Sequence, residues 1–266
     1  MVNLPDELTL PGVALRYADR PGDSPAVVFL HGAGADHVMF EAQAAALADR
    51  GQRVVLLDLR GQGQSQPNTT PLSAELFVQD VEALLATLGL NRPVLAGHSL
   101  GGNIAQALVR RNPGKYAGLI VMDSTWNAGP LTSGERFLLR LAAPALALIP
   151  ARRLPKLMAK ASAVTDAGRA DAERAFSQVS KRGFIDVWRA TVQFVAPDPG
   201  YRTPVPLLLI RGAEDKTGNI ATAMPAWAAA ENMPEHVIGG AGHLVTQDAP
   251  TAVTEVIIKF LAGETD

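Results

Sequence analysis

The chain has 266 residues, of which 47% are hydrophobic and 19% charged; this composition suits one globular core and excludes a disordered or fibrous protein. Its formal net charge of −2, with no block of like charge, gives no electrostatic attraction to nucleic acid or to an anionic membrane. The absence of cysteine excludes disulfides, a thiol nucleophile and thiolate metal sites.

The N-terminal segment MVNLPDELTL has neither a basic leader nor a long apolar stretch, and this predicts a cytoplasmic protein without a secretory signal. An antiparallel hairpin is predicted next. Its strands, Leu8–Leu10 and Val13–Tyr17, flank the turn signal Pro11-Gly12.

Six further apolar runs, rich in leucine or β-branched residues, predict strands that are buried on both faces. They are Ala26–Leu30, Arg53–Leu57, Pro93–Gly97, Gly118–Met122, Pro206–Arg211 and Glu235–Ile238. Segments of helical period lie between them, for example residues 77–88, which place Phe77, Val81 and Leu84 on one stripe. The alternation predicts the α/β class, with a mostly parallel central sheet flanked by helices and an active site at the carboxyl ends of the strands.

Between residues 125 and 203 the strand pattern stops and helical patterns replace it. Thr132 and Glu135 have the spacing of a capping box at the start of the first of these helices. We therefore predict an α/β core that is interrupted by an inserted helical cap. The core comprises residues 1–124 and 204–266, and the cap comprises residues 125–203.

Two helices have features of their own. The window Phe137–Ile149 is the most apolar in the chain, but it is shorter than the ~20 residues that a membrane span needs, so we predict a buried or cap helix. The last helix is predicted to begin near Pro250 and to stop at Gly263. Asp248 lies just before it and is predicted to place negative charge at its N-terminus.

The strongest chemical signal is Gly97-His98-Ser99-Leu100-Gly101-Gly102, which satisfies the pattern G-x-S-x-G between a buried strand and a helical segment. In this pattern the serine occupies a strained strand-to-helix turn, and small neighbours prevent clashes, so its hydroxyl is held out toward substrate. The alternative is a glycine-rich turn that merely joins a strand to a helix. We predict that Ser99 is a nucleophile.

With this motif in place, the chain resembles the α/β-hydrolase fold family, and in particular its cap-bearing esterases and enol-lactonases, nearly from end to end. His31-Gly32-Ala33-Gly34 resembles the family's oxyanion loop, and residues 58–65, DLRGQGQS, resemble its loop after the fourth strand. The resemblance implies that the backbone N–H groups of Ala33 and Leu100 bind the oxyanion, where a helix N-terminus favours negative charge. His31 is expected to brace this loop.

A serine hydroxyl needs a base that takes its proton. His243, in the glycine-rich loop before the last helix, lies where the family has that base. The resemblance implies that Asp215, which follows the strand Pro206–Arg211, is the acid that holds the imidazole in the right tautomer. Asp123, directly after another strand, is the alternative acid, because some members of the family take the acid from that strand.

Substrate contacts are expected from the cap and the loops beside it. His37 follows the oxyanion segment and is a candidate, although a solvated loop histidine is the alternative. Trp126, which follows a strand end, and Trp188 are further candidates, and either one can instead be part of the core. The other apolar candidates are Phe137, Met158, Phe184 and Phe194.

Gly32, Gly34 and Asp58 superficially resemble a dinucleotide fingerprint, but His37 occupies the place of its third glycine, so no nicotinamide cofactor is predicted. No histidine pair has helical ligand spacing, so no metal site is predicted either. The sequence predicts hydrolysis of a small carboxylic ester or lactone through a serine acyl-enzyme. The alternatives are a carbon–carbon bond hydrolase, an acyltransferase or a perhydrolase with the same triad, and a non-catalytic binding protein on this scaffold.

Overall fold

Eight strands form one sheet in the computed structural model, which describes residues 3–264. They are β1 (Asp6–Leu10), β2 (Val13–Arg20), β3 (Asp23–Leu30), β4 (Gln52–Leu57), β5 (Val94–His98), β6 (Gly118–Met122), β7 (Leu207–Gly212) and β8 (His236–Ile238). Their order in the sheet is β1-β2-β4-β3-β5-β6-β7-β8. The pairings β1 with β2 and β2 with β4 are antiparallel, and all others are parallel, which confirms the predicted hairpin and the mostly parallel sheet.

Ten α-helices fall within the described residues. They are α1 (Glu41–Ala48), α2 (Ala74–Thr87), α3 (Leu100–Arg111), α4 (Ser133–Leu148), α5 (Leu154–Ser162), α6 (Asp166–Gln178), α7 (Lys181–Val192), α8 (Ile220–Glu231), α9 (Val245–Asp248) and α10 (Pro250–Leu261). The predicted core segments also include residues 1, 2, 265 and 266, which lie outside the described residues.

The central strands are buried on both faces because their alternate residues point into two different hydrophobic cores. In β6, Leu119 and Val121 join the core that contains α2, α3 and α8, whereas Ile120 and Met122 join the core that contains α1 and α10. All four side chains are at most 1% exposed. The apolar runs of the central strands therefore have the physical cause that was predicted for them. The predicted burial on both faces is wrong for β8, where Val237 is 50% exposed, because this strand lies at the edge of the sheet.

Residues 125–203, called the cap segment below, contribute α4 to α7 between β6 and β7. The boundaries of this segment stay a prediction. The predicted capping box opens α4: the hydroxyl of Thr132 accepts the N–H of Glu135 at 3.1 Å, and the Glu135 carboxylate accepts the N–H of Thr132 at 2.8 Å. Helix α5 packs against α6, and α4 packs against α7.

Of the two alternatives predicted for the apolar window, a buried or a cap helix, full burial is excluded for one face of α4. The side chain of Phe137 is 61% exposed and that of Leu148 is 85% exposed. No helix in the part of the chain that the structure describes is long and apolar enough to span a bilayer.

Candidate active site

Ser99 occupies the turn between the end of β5 and the start of α3. Its backbone angles, φ 50° and ψ −114°, lie in a region that residues with a Cβ atom avoid. Three hydrogen bonds hold this conformation. The Ser99 N–H donates to the carbonyl of Met122 at 3.0 Å, and the Ser99 carbonyl accepts the N–H of Asn103 at 3.0 Å and the hydroxyl of Ser124 at 2.8 Å.

The glycines around Ser99 are required because backbone atoms approach them closely. A Cβ atom at Gly97 would lie 2.3 Å from the carbonyl oxygen of Gly101. A Cβ atom at Gly101 would lie 1.8 Å from the carbonyl oxygen of Leu30, the last residue of β3. Neither contact can be relieved by a rotamer change. The motif therefore allows α3 to start directly against the sheet.

His243 and Asp215 meet at the carboxyl ends of β7 and β8. Nδ1 of His243 lies 3.0 Å from Oδ2 of Asp215, and both side chains are buried. Oδ1 of Asp215 accepts the N–H of Thr217 at 2.7 Å. Burial alone would raise the pKa of Asp215, but the His243 charge and the hydrogen bonds from His243 and Thr217 outweigh it and lower the pKa to about 2. Asp215 is therefore a carboxylate at neutral pH.

Asp123, the alternative acid, follows β6 and is also buried. Its Oδ1 accepts the N–H of Gly212 at 2.8 Å, and its Oδ2 has no hydrogen-bond partner within the described residues. Burial, and then the negative charge of Asp215, raise the pKa of Asp123 well above its ordinary value. The two carboxyl groups thus have pKa values shifted in opposite directions, and the one with the lowered pKa, Asp215, is hydrogen-bonded to His243.

Together, Asp123, Asp215 and His243 offer nitrogen and oxygen atoms that lie within 4.8 Å of one another. Such a set of donors can bind a metal ion. Here the Nδ1 atom of His243 and the Oδ2 atom of Asp215 already bond to each other, and an Asp123 oxygen accepts the N–H of Gly212. The arrangement is that of a hydrogen-bonded acid and base, Asp215 and His243, with a second buried acid beside them.

The loop after β3 carries Ala33, which lines the same cavity as Ser99. His31 fixes this loop: its Nε2 accepts the N–H of Leu59 at 2.8 Å, and its Nδ1 lies 2.8 Å from the carbonyl of Gly32. Burial lowers the pKa of His31, so the ring is neutral and can accept one bond while donating the other. This geometry agrees with the predicted bracing role.

His98 contributes a contact that the sequence analysis missed. Its Nε2 lies 2.6 Å from the backbone carbonyl of His243, and the two rings are 4.7 Å apart between centroids. Burial, together with the His243 charge, lowers the pKa of His98 to about 3. A neutral ring that donates from Nε2 therefore ties the loop of His243 to the end of β5. No sequence signal identified this partner, because 145 residues separate the two.

A cavity of about 690 Å³ opens above Ser99 and His243. Its opposite wall belongs to the cap segment and is mostly apolar. The larger side chains in that wall are Leu146, Ile149, Met158, Phe176, Phe184 and Trp188. Charged groups stand only at its exposed rim: Lys160, Arg169, Glu214 and Lys216. The cavity can hold a largely apolar ligand whose reacting group faces Ser99.

Not every predicted substrate residue reaches this cavity. Trp188 lines it, as do Met158 and Phe184. His37 does not: its ring is buried, and Nδ1 lies 2.9 Å from Oδ1 of Asp58, so neither predicted environment, substrate or solvent, is found. Trp126 is also buried away from the cavity, and it stacks on Trp227 with centroids 6.0 Å apart.

The predicted role of Asp248 is wrong in this structure. Its carboxylate accepts the N–H groups of Val164 and Thr165 in the cap segment at 2.9 and 2.8 Å and the Thr165 hydroxyl at 2.7 Å. It also accepts the N–H of Gly242, the residue before His243, at 2.9 Å. Asp248 therefore joins the cap segment to the loop of His243 instead of supplying charge to α10.

Comparisons with known proteins identify relatives that match this chain over most of its length. The profile of the family described as "alpha/beta hydrolase fold" matches residues 25–250. The sn-1-specific diacylglycerol lipase ABHD11 of Mus musculus is 29% identical over 272 residues, covering 93% of this chain and 85% of that protein.

Two solved structures are also similar. An esterase from Thermogutta terrifontis superposes with a TM-score of 0.77 and 26% identity, covering 98% of this chain and 97% of that chain. The enol-lactonase of Burkholderia xenovorans LB400 superposes with a TM-score of 0.79 and 24% identity, covering 97% of this chain and all (100%) of that chain. At 24% identity the second likeness concerns the fold alone.

Proposed function

Because the chain belongs to the α/β-hydrolase family, we propose that it is a serine hydrolase that cleaves carboxylic esters or lactones. One observation carries the proposal: Ser99, on a strained turn at a helix N-terminus, lines the same cavity as His243, and His243 is hydrogen-bonded to the ionised Asp215. These are the parts that acyl transfer needs, namely a nucleophile, a base and a group that orients the base.

In the first step, Oγ of Ser99 attacks the substrate carbonyl while Nε2 of His243 takes the hydroxyl proton. The electrons of the carbonyl double bond move onto its oxygen. In our proposal the N–H groups of Ala33 and Leu100 receive this negative charge. Leu100 is the first residue of α3, so its N–H lacks a helical partner and points out of a helix N-terminus. Each such donor is worth about 10²–10³ in rate.

In the second step, the protonated His243 gives its proton to the departing alcohol oxygen and the carbon–oxygen bond breaks, which leaves an acyl group on Ser99. Water then attacks the acyl carbon while His243 accepts a proton from it. Collapse of this intermediate returns the proton to Ser99 and releases the acid. For a lactone, the alcohol and the acid belong to one product molecule.

Asp215 is proposed as the orienting acid because its pKa, lowered to about 2, keeps it negative while the imidazole becomes positive. Its hydrogen bond to Nδ1 also leaves Nε2 of His243 free to act on Ser99. Asp123 makes no hydrogen bond to His243 and has a raised pKa, which disfavours it for this role.

Ester or lactone cleavage is favoured over the alternatives by the apolar cap wall and by the relatives, which include a diacylglycerol lipase and an esterase. A carbon–carbon hydrolase, an acyltransferase or a perhydrolase would use the same triad. A binding protein is disfavoured by the hydrogen bond between His243 and the ionised Asp215, because a ligand pocket does not need an oriented base.

The test is labelling with an active-site-directed fluorophosphonate, followed by intact-mass measurement. We expect one adduct on the native chain and none on Ser99→Ala, with hydrolysis of p-nitrophenyl butyrate reduced by about 10⁶-fold in the variant. Ser162→Ala is the matched control, because Ser162 also lines the cavity. Equal labelling of Ser99→Ala would contradict the nucleophile assignment. Adduct formation without ester turnover would support the binding protein.

A further inference from the structure

Helix α4 is apolar on two faces. Ala142, Leu146 and Ile149 face the cavity, as expected for the inner side of a cap helix. Phe137, Leu141 and Leu148 follow a helical spacing of four and seven residues on another face, and they are 61%, 44% and 85% exposed. The outer face of a surface helix is normally polar. Here it presents large apolar side chains to solvent.

The same part of the chain is strongly cationic. Residues 136–165 contain six Lys and Arg and no Asp or Glu. The cap segment as a whole has 12 Lys and Arg against 6 Asp and Glu, whereas the rest of the chain has 12 against 20. The net charge of −2 is therefore the sum of a cap segment of about +6 and a core of about −8, counted by the formal charges.

The exposed apolar and cationic side chains adjoin each other. Leu148 ends α4, Arg152 and Arg153 follow in the next turn, and Leu157 in α5 is 48% exposed. Arg152 and Arg153 are exposed and form no ion pair within the described residues. We name this region the outer cap surface: Phe137, Leu141, Leu148, Leu157, Arg152 and Arg153.

We propose that the outer cap surface docks on an anionic lipid bilayer. Apolar side chains of a surface helix enter the boundary between headgroups and acyl chains, and neighbouring cations bind the anionic headgroups. The surface meets both conditions, whereas the core, with a formal charge of about −8, is not attracted to the same bilayer. The sequence analysis predicted no membrane partner from the net charge. That sum does not reveal that the cap segment is positive and the core negative.

Two other occupants fit less well. In a symmetric dimer the same patch meets itself, so the cations of one copy would face those of the other. A nucleic acid would match the charge, but it has no apolar layer to receive Phe137 and Leu148. Only a bilayer pairs with both the charge and the exposed apolar side chains.

Docking in this way would place the cavity next to the bilayer. The residues of α4 that face the cavity and those that face outward belong to the same helix turns, so α4 would be the partition between lipid and Ser99. This consequence rests on the proposed hydrolase function, whereas the docking itself does not. The experiment therefore measures binding and uses no substrate.

The experiment is flotation of the full chain with vesicles of phosphatidylcholine alone or of phosphatidylcholine mixed with phosphatidylglycerol. Three double variants are compared with the native chain: Phe137→Ser/Leu148→Ser, Arg152→Glu/Arg153→Glu, and the control Arg50→Glu/Lys115→Glu. The control makes the same change of net charge with exposed residues of the core. Thermal unfolding of each variant checks that it is folded.

We expect the native chain and the control to float with the anionic vesicles, less so at high salt, and hardly at all with phosphatidylcholine alone. Each variant of the outer cap surface should bind at least roughly tenfold more weakly. Three results would overturn the proposal: no binding of the native chain to anionic vesicles at low salt, equal binding by all variants, or a dimer that Phe137→Ser/Leu148→Ser converts to monomer.

Discussion

The turn around Ser99 and the cap segment meet at one cavity, but they are constrained very differently. At the turn, backbone atoms lie so close that a single added Cβ atom at Gly101 would be 1.8 Å from a carbonyl oxygen. In the cap segment, side chains form the cavity wall, and the outer face of α4 is open to solvent. The core therefore holds the reacting groups in place. In the cap segment, side chains can be substituted without disturbing those groups, and such substitutions change which ligand the cavity accepts.

This difference predicts that substitutions in the core act on the chemical step or on folding, and that substitutions in the cap segment act on binding. Asp248 is the residue where the two regions join. The following experiments test this division.

Asp215→Asn should lower kcat by about 10⁴-fold, because the amide removes the negative charge and favours the wrong imidazole tautomer. Asp123→Asn is the matched control. Asparagine keeps an acceptor for the N–H of Gly212, so kcat should stay within about tenfold of native. Steady-state hydrolysis of a short aryl ester measures both. The reverse pattern would make Asp123 the orienting acid.

Gly101→Ala should lower the free energy of unfolding by about 3 kcal/mol, because the new methyl group collides with the backbone of Leu30. Gly114→Ala is the control, since a Cβ atom there meets nothing within 4 Å. It should change stability by no more than about 1 kcal/mol. Urea unfolding measures both variants. Equal effects would mean that the close approach at Gly101 does not constrain the turn.

Asp248→Asn should lower the free energy of unfolding by about 2 kcal/mol and reduce kcat several-fold. The amide nitrogen would face N–H donors of Thr165 or Gly242 that now donate to a carboxylate oxygen. Asp166→Asn is the control, because Asp166 is a fully exposed carboxylate in the cap segment. It should change neither quantity. A loss of stability with kcat unchanged would mean that Asp248 anchors the cap segment without positioning His243.

Trp188→Ala should reduce kcat/KM for a decanoate aryl ester by roughly tenfold, mainly through KM, and should leave the acetate ester nearly unchanged. Trp188 contributes apolar area to the cavity wall, and we expect a longer acyl chain to bury more of that area than an acetyl group does. Phe137→Ala is the control, since Phe137 is exposed on the outer side of α4. A fall in kcat for both esters would place Trp188 with the reacting groups.

The pH dependence of stability tests the raised pKa of Asp123. Its raised pKa means that the folded chain keeps a proton that the unfolded chain loses above about pH 4. Stability is therefore lost as the pH rises from about 4 toward that raised pKa. Asp123→Asn removes this loss, so its melting temperature should exceed that of the native chain at neutral pH, and the difference should shrink as the pH falls toward about 4. An identical pH slope in both chains would contradict the assignment.

Individual residues differ in how well their environments were predicted from the sequence. The hairpin, the positions of the six further strands and the capping box of α4 were predicted because each depends on residues within a few positions of one another. The environments of His37, Trp126 and Asp248 were not, because their partners Asp58, Trp227 and Thr165 are 21, 101 and 83 positions away.

By itself, the sequence determined the α/β fold class and the position of the strained serine, because periodicity and the sizes of adjacent side chains decide both. The tertiary structure alone decided which carboxyl group bonds to His243, since Asp123 and Asp215 both follow strands and differ only in the neighbours that the assembled sheet gives them. It also decided that the apolar window of α4 has an outward face. Composition counts apolar residues, but only packing determines which of them are covered.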